Sequence, residues 1–222
     1  FDDVVKVLNN IHLFNSILLG LNQDLWRYIS DGWIKQKPDP GQVGSSTMAQ
    51  KINPIHFENS EGNICIANGL VESLVRNLPI SRMQRDLSNS TIVRNLATIL
   101  GYEQIVLSSA IRGLSKISAN KQEISEYLNK NWAVLSEPLQ ILLRKHNIKD
   151  AYNIVKELTM GQKINQEEWK NLISKLDLEP EIKKAAEKIS IDDYTGLCES
   201  ITDQGIKEIN LILKLYPSKQ PS

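Results

Sequence analysis

The stretch Val4-Val5-Lys6-Val7-Leu8-Asn9-Asn10-Ile11-His12-Leu13-Phe14-Asn15-Ser16-Ile17-Leu18-Leu19-Gly20-Leu21-Asn22-Gln23-Asp24-Leu25 decides the fold class. Val4, Val7, Ile11, Phe14, Leu18, Leu21 and Leu25 alternate spacings of three and four, which is a seam along one face of a helix. A seam of this length belongs to a bundle, where neighbouring helices cover the stripe. Working outward, the pattern stops at Lys35-Gln36-Lys37-Pro38-Asp39-Pro40-Gly41, because prolines disfavour helix before them. Residues 38–50 read as a loop rich in Gly and Ser.

A second helix starts at Asn53-Pro54, with Phe57, Ser60, Ile64, Ala67, Leu70 and Leu74 on its inner face. Gly62 and Gly69 either let another helix approach closely or simply weaken this one. After Leu78-Pro79 and a polar stretch, a third helix is expected to run to about Ser118. It has Ile92, Leu96, Ile99, Val106, Ala110, Leu114 and Ile117 in register, and Glu103 falls on the same seam. Shorter amphipathic helices follow near 121–129, 132–146, 150–159, 165–176, 180–188 and 196–214, with Gly161 as a cap. No strand pattern and no internal repeat stands out. The expected fold is all-α: residues 1–118 form the long helices of a bundle domain, with a loop at 41–54, and residues 119–222 a small all-helical domain.

Lys+Arg and Asp+Glu both number 26, which argues against a protein built to coat nucleic acid or an anionic membrane. No apolar run reads as long enough to span a membrane, and the start has no signal-peptide pattern. The chain opens at Phe1 and runs straight into helix, which reads as a piece beginning inside an element. Cys65 and Cys198 sit among apolar neighbours without metal-ligand spacing, and are expected to be buried, reduced thiols.

The chemistry concentrates in Gly44-Ser45-Ser46-Thr47-Met48-Ala49-Gln50-Lys51-Ile52-Asn53-Pro54. A Gly/Ser loop brings hydroxyls near a lysine just before a helix start, where amides and the helix dipole favour anions. A solvated surface loop satisfies the same residues, and the loop alone does not choose among Ser45, Ser46 and Thr47. A second group, Arg85, Ser90 and Arg94, offers two guanidiniums and a hydroxyl near a helix start, a plausible phosphate cradle. A solvated basic helix start is its plainer reading. Arg82 is a weaker candidate for the same role.

The order G-S-x-x-M-x-x-K-x-N, filled by Gly44, Ser45, Met48, Lys51 and Asn53, resembles the signature loop of the fumarase, aspartase and argininosuccinate lyase superfamily. Phe57-Glu58-Asn59-Ser60-Glu61-Gly62-Asn63 narrows the resemblance to adenylosuccinate lyases of the bacterial type. So do the run from Leu78 to Asn95, the run from Asn131 to Gln140, and Lys156-Glu157-Leu158-Thr159. The resemblance covers essentially the whole chain. It implies that Ser45 is the catalytic base, that Lys51 and Asn53 hold the substrate carboxylate, and that Glu58 helps to orient the site. Ser46, Thr47 and Met48 would line the substrate, and Arg85, Ser90 and Arg94 would bind its phosphate. Relatives often carry proline and histidine where Ala49 and Gln50 stand here, which implies altered loop stiffness.

The resemblance further implies cleavage of adenylosuccinate to AMP and fumarate, and of the related succinyl-carboxamide ribotide, without metal or organic cofactor. It implies a cytoplasmic homotetramer with composite sites that binds neither nucleic acid nor membrane. His12, His56 and His146 match none of the family's general-acid motifs, so this stretch alone is expected to lack the acid and to be inactive. Two other readings stand beside it. An argininosuccinate lyase or fumarase would share the loop without the phosphate set. A non-catalytic helical assembly module is what the seams alone suggest.

Overall fold

The computed structural model describes residues 1–37, 53–83 and 87–215. The described residues form ten α-helices and one two-stranded ribbon, so the chain is all-α in class. It divides into two compact units, Phe1–Glu123 and Ile124–Ser222.

The first unit is built on α1 (Asp2–Ser30), α2 (Ile55–Asn77) and α4 (Leu96–Leu114), with the short α3 (Ser88–Val93) before α4. Helix α2 is the centre and packs against both α1 and α4. Its buried face is Phe57, Ser60, Ile64, Ala67, Val71 and Leu74; the expected Leu70 is only half-buried beside Val71. Two small apolar clusters result. Leu8, Val71, Leu74, Leu78 and Ile99 form one; Leu18, Ile64, Val106 and Ala110 form the other.

Helix α1 is rotated from the expected seam. Its buried positions are Leu8, Asn15, Leu18, Asn22 and Leu25, whereas Val7, Phe14 and Leu21 face outward. The physical reason is polar. Asn15 donates to Asn68 Oδ1 (2.9 Å) and Glu103 Oε1 (2.7 Å), and Asn22 donates to Ser60 Oγ (2.9 Å), whose hydroxyl donates to Val106 O (3.1 Å). Buried amides must be hydrogen-bonded, so the helix turns its asparagines to α2 and α4 at the expense of three apolar residues. Glu103 is therefore a true polar position inside the bundle. By length and composition alone α1 suffices to cross a membrane, which corrects the expectation that no segment does. Here its asparagines tie it into the bundle.

Three further expectations change. The helix expected to reach Ser118 is interrupted at Arg94-Asn95 and ends at Leu114, after which Ile117–Ala119 is strand β2. Strand β1 (Ile34–Gln36) pairs with it antiparallel, Gln36 opposite Ile117, although no strand pattern announced either. Each is only three residues long, too short to show alternation. Cys65 and Cys198 are free but exposed. At Gly62 and Gly69 an added Cβ would meet nothing within 4 Å, so neither permits a close helix approach.

The second unit has α5 (Lys121–Asn129) at its start, a 3-10 turn at Trp132–Leu135, and α6 (Ser136–Lys145), α7 (Ala151–Thr159), α8 (Gln166–Lys175), α9 (Pro180–Glu187) and α10 (Cys198–Leu215). Pro138 stands in the first turn of α6, where its missing N–H costs nothing. Asn165 and Glu168 form a reciprocal capping box at the start of α8. Gly161, at φ 73°, takes the left-handed position after α7. One apolar core joins the 3-10 turn and helices α6 to α9, centred on Trp132, Leu135, Leu139, Leu143, Val155, Ile164, Trp169 and Ile173. Helix α10 contributes no buried residue.

Candidate active site

Residues Ser45, Ser46, Thr47, Met48 and Lys51, together with Arg85, lie outside the described residues. Asn53, Glu58, Ser90 and Arg94 are described, and they fall in two places.

Asn53 and Glu58 stand at the N-terminal end of α2. Pro54 is the N-cap, so the helix opens without a proline clash, and Glu58 lies in the first turn where the helix dipole favours a carboxylate. The Glu58 carboxylate accepts the indole Nε1–H of Trp26 at 3.0 Å, from the last turns of α1. One turn further, Gln23 donates to Glu61 Oε1 at 3.0 Å. These four side chains line a cleft of about 300 Å³. On the other side of the same turn, Lys116 Nζ lies 3.1 Å from His56 Nε2. For the ammonium to donate there, Nε2 must be the lone-pair nitrogen of the ring. His56 is thus engaged with a cation next to the site. His12 pairs with Glu72 at 3.5 Å, and His146 caps the C-terminal end of α6.

Ser90 lies in α3 and Arg94 caps its C-terminal end, so they do not share the face of one long helix as expected. The Ser90 hydroxyl donates to Leu87 O at 2.7 Å. Arg94 is exposed and forms no ion pair among the described residues. Ile92 and Val93 pack at the cluster of Leu74 and Leu78, beyond the C-terminal end of α2. From Glu58 to Leu78 is 20 positions, about 30 Å at 1.5 Å per residue. The carboxylate-binding and phosphate-binding candidates therefore occupy opposite ends of α2 within one chain.

Trp26, Gln36 and Lys116 were not legible as site neighbours. Trp26 stands among polar residues at the end of the first seam, and Gln36 directly precedes the proline-rich stretch; those positions were the available signals.

The long helices fit a protein of the helical lyase class: a family model described as "Lyase" matches residues 1–69. The model described as "Adenylosuccinate lyase C-terminal" matches residues 81–195, just over half of the chain. The chain belongs to the adenylosuccinate lyase family. It is 40% identical to the adenylosuccinate lyase of Buchnera aphidicola (subsp. Acyrthosiphon pisum) and 38% identical to that of Escherichia coli K12, each over 91% of this chain and 44% of the relative. It is 42% identical to that of Legionella pneumophila strain Corby, over 90% of this chain and 44% of the relative. The chain thus spans less than half the length of the curated relatives it matches.

Proposed function

We propose that this chain is the loop- and phosphate-bearing part of an enzyme that eliminates fumarate from adenylosuccinate, and from the related succinyl-carboxamide ribotide. The observation that carries the reading is the relation to adenylosuccinate lyases over 91% of the chain, with Gly44, Ser45, Met48, Lys51 and Asn53 in signature order. Ser45 removes the proton from the succinyl carbon beside a carboxylate. Lys51 and Asn53 hold that carboxylate while charge spreads onto it, which is where preorganised donors lower a barrier most. Glu58, fixed by Trp26, orients the surroundings of the loop. The amine then leaves with a proton from a donor outside this stretch. Ser46, Thr47 and Met48 line the substrate, and Arg85, Ser90 and Arg94 take its phosphate.

The 30 Å separation along α2 bears on assembly. A single nucleotide substrate cannot reach from Asn53 to Arg94 of one chain, so this reading needs a second copy to supply one end. The exposed Phe14, Ile17 and Leu21 of α1 and Leu100, Leu107 and Ile111 of α4 are the kind of surface that copies would cover. Both points support a homotetramer with composite sites, and we place the enzyme in the cytoplasm, in keeping with two free thiols.

The test is fumarate release from adenylosuccinate by the complete enzyme. Ser45→Ala should lower kcat by at least about 100-fold, the ordinary scale of a lost general base, with KM little changed. Ser46→Ala should be much milder. Near-normal turnover of Ser45→Ala removes this serine from the mechanism.

A further inference from the structure

The first turn of α2 is held by residues for which the proposed chemistry has no use. Gln36, the last residue of β1, donates its Nε2–H to the carbonyl oxygen of Asn53 at 3.1 Å, across 17 positions of sequence. Lys116, directly before β2, meets His56. Strands β1 and β2 are hydrogen-bonded to each other, and Lys37 N donates to Lys116 O at 2.9 Å, so both contacts project from one ribbon. The ribbon is itself fixed, because Asn120 donates to the carbonyls of Gly32 and Trp33 at 2.8 Å each. From below, Phe57 is 1% exposed and seated against Gly113, where a Cβ would stand 2.8 Å from its ring.

The Gln36 contact differs from the other two in what it holds. His56 and Phe57 secure the helix. Gln36 secures the peptide of Asn53 itself, two residues before the helix begins. The next residue is Pro54, whose ring limits φ, so fixing the Asn53 carbonyl leaves that peptide little freedom. The origin of the Asn53 side chain is set accordingly.

We infer that Gln36 is a positioning residue for the elimination: by holding the Asn53 carbonyl it aims the Asn53 amide at the substrate carboxylate. This rests on the reading of Asn53 given above. The carboxylate contact strengthens as charge develops in the transition state, so its misplacement acts on kcat more than on KM.

The experiment uses the complete enzyme and four variants. Gln36→Leu keeps the bulk and removes the donor; kcat should fall by about fivefold, the scale of one neutral hydrogen bond, with KM within about twofold and the melting temperature unchanged. Gln36→Lys, which keeps a donor at similar reach, should recover most of that loss. Asn53→Ala alone should lower kcat more strongly. In the double variant, Gln36→Leu should have no further effect, because the side chain it aims is gone. Full turnover by Gln36→Leu, or an equal fivefold loss in the Asn53→Ala background, overturns the inference and leaves the role of Asn53 intact. Normal turnover by Asn53→Ala overturns both.

Discussion

In residues 1–123 the helices are long and their contacts mixed. In residues 124–222 helices α6 to α9 are short and share one apolar core. Every fully buried polar side chain among the described residues, Asn15, Asn22, Ser60 and Asn89, belongs to the first unit. There the apolar clusters are small and the asparagines sit between helices. The second unit buries Leu135, Leu139 and Leu143 completely, and Trp132 and Trp169 almost so. Apolar burial is non-directional and scales with area, whereas amide contacts are directional and contribute little net stability. The contrast suggests a division: the second unit is held mainly by its core, and the first is indexed by its polar contacts. The candidate chemistry falls entirely on the indexed side.

The largest expected effect tests the apolar half. Leu143→Ala should destabilise the second unit by about 2–5 kcal/mol in urea unfolding, the range for a buried leucine leaving a cavity. A loss below about 1 kcal/mol would mean that the core collapses around the gap and is not the main support. The next sharpens the polar half. Asn22→Leu removes a donor from Ser60, which still donates to Val106 O, and also removes a buried Oδ1 that finds no donor among the described residues. Stability should change by less than about 1 kcal/mol in either direction, while NMR line widths and hydrogen exchange show a less uniquely packed α1–α2 pair. A cost above about 3 kcal/mol would break the proposed division, because the amide would then be a principal support.

The smallest effect concerns Tyr194 in the second unit. Its hydroxyl is raised above the usual 10.0 by desolvation first, then by its hydrogen bond to Glu137 and by that carboxylate's charge. A raised phenol favours the native state while it stays protonated. That contribution is complete below about pH 10 and is lost as pH rises through the folded value. Tyr194 is 38% exposed, so the contribution is slight. Tyr194→Phe should flatten the alkaline fall in urea midpoint and leave its neutral value nearly unchanged; an unaltered alkaline slope would remove Tyr194 from that role.

Much of this architecture could be read from periodicity, and the reason is specific. Phe57, Ile64, Ala67 and Leu74 keep helical spacing because α2 is packed on two sides, and all four are buried as expected. Most of the second unit's helices fall within a residue or two of expectation because turn residues such as Gly161 and Pro180 punctuate them; the exception is the helix expected from 132, where a 3-10 turn precedes α6. Helix α1 misled because it has apolar residues on two faces. A hydrophobicity pattern cannot know that Asn15 and Asn22 have partners on α2 and α4, which lie far away in sequence. The break at Arg94-Asn95 was hidden because Ile92, Leu96 and Ile99 keep helical spacing across it. For the site, Asn53 and Glu58 could be singled out by motif, but their neighbours Trp26 and Gln36 could not. Contacts across 32 and 17 positions carry no local signature.

The paired side chains between α1 and α2 also keep one antiparallel register: His12 with Glu72, Asn15 with Asn68, Asn22 with Ser60, Gln23 with Glu61 and Trp26 with Glu58. They work like the teeth of a rack, spread over more than three turns, so the register of the two helices is stored in the helices themselves. The chain between them need not encode it. Substitution, or a change in length, between residues 38 and 52 leaves every tooth engaged, and that is the stretch in which Ala49 and Gln50 depart from the residues common in relatives. A single residue inserted near Gly20 would instead turn everything on one side of it by about 100°, leaving Asn15 meshed and Asn22 facing away. For the register of the two helices, change is thus cheap between residues 38 and 52 and expensive within α1.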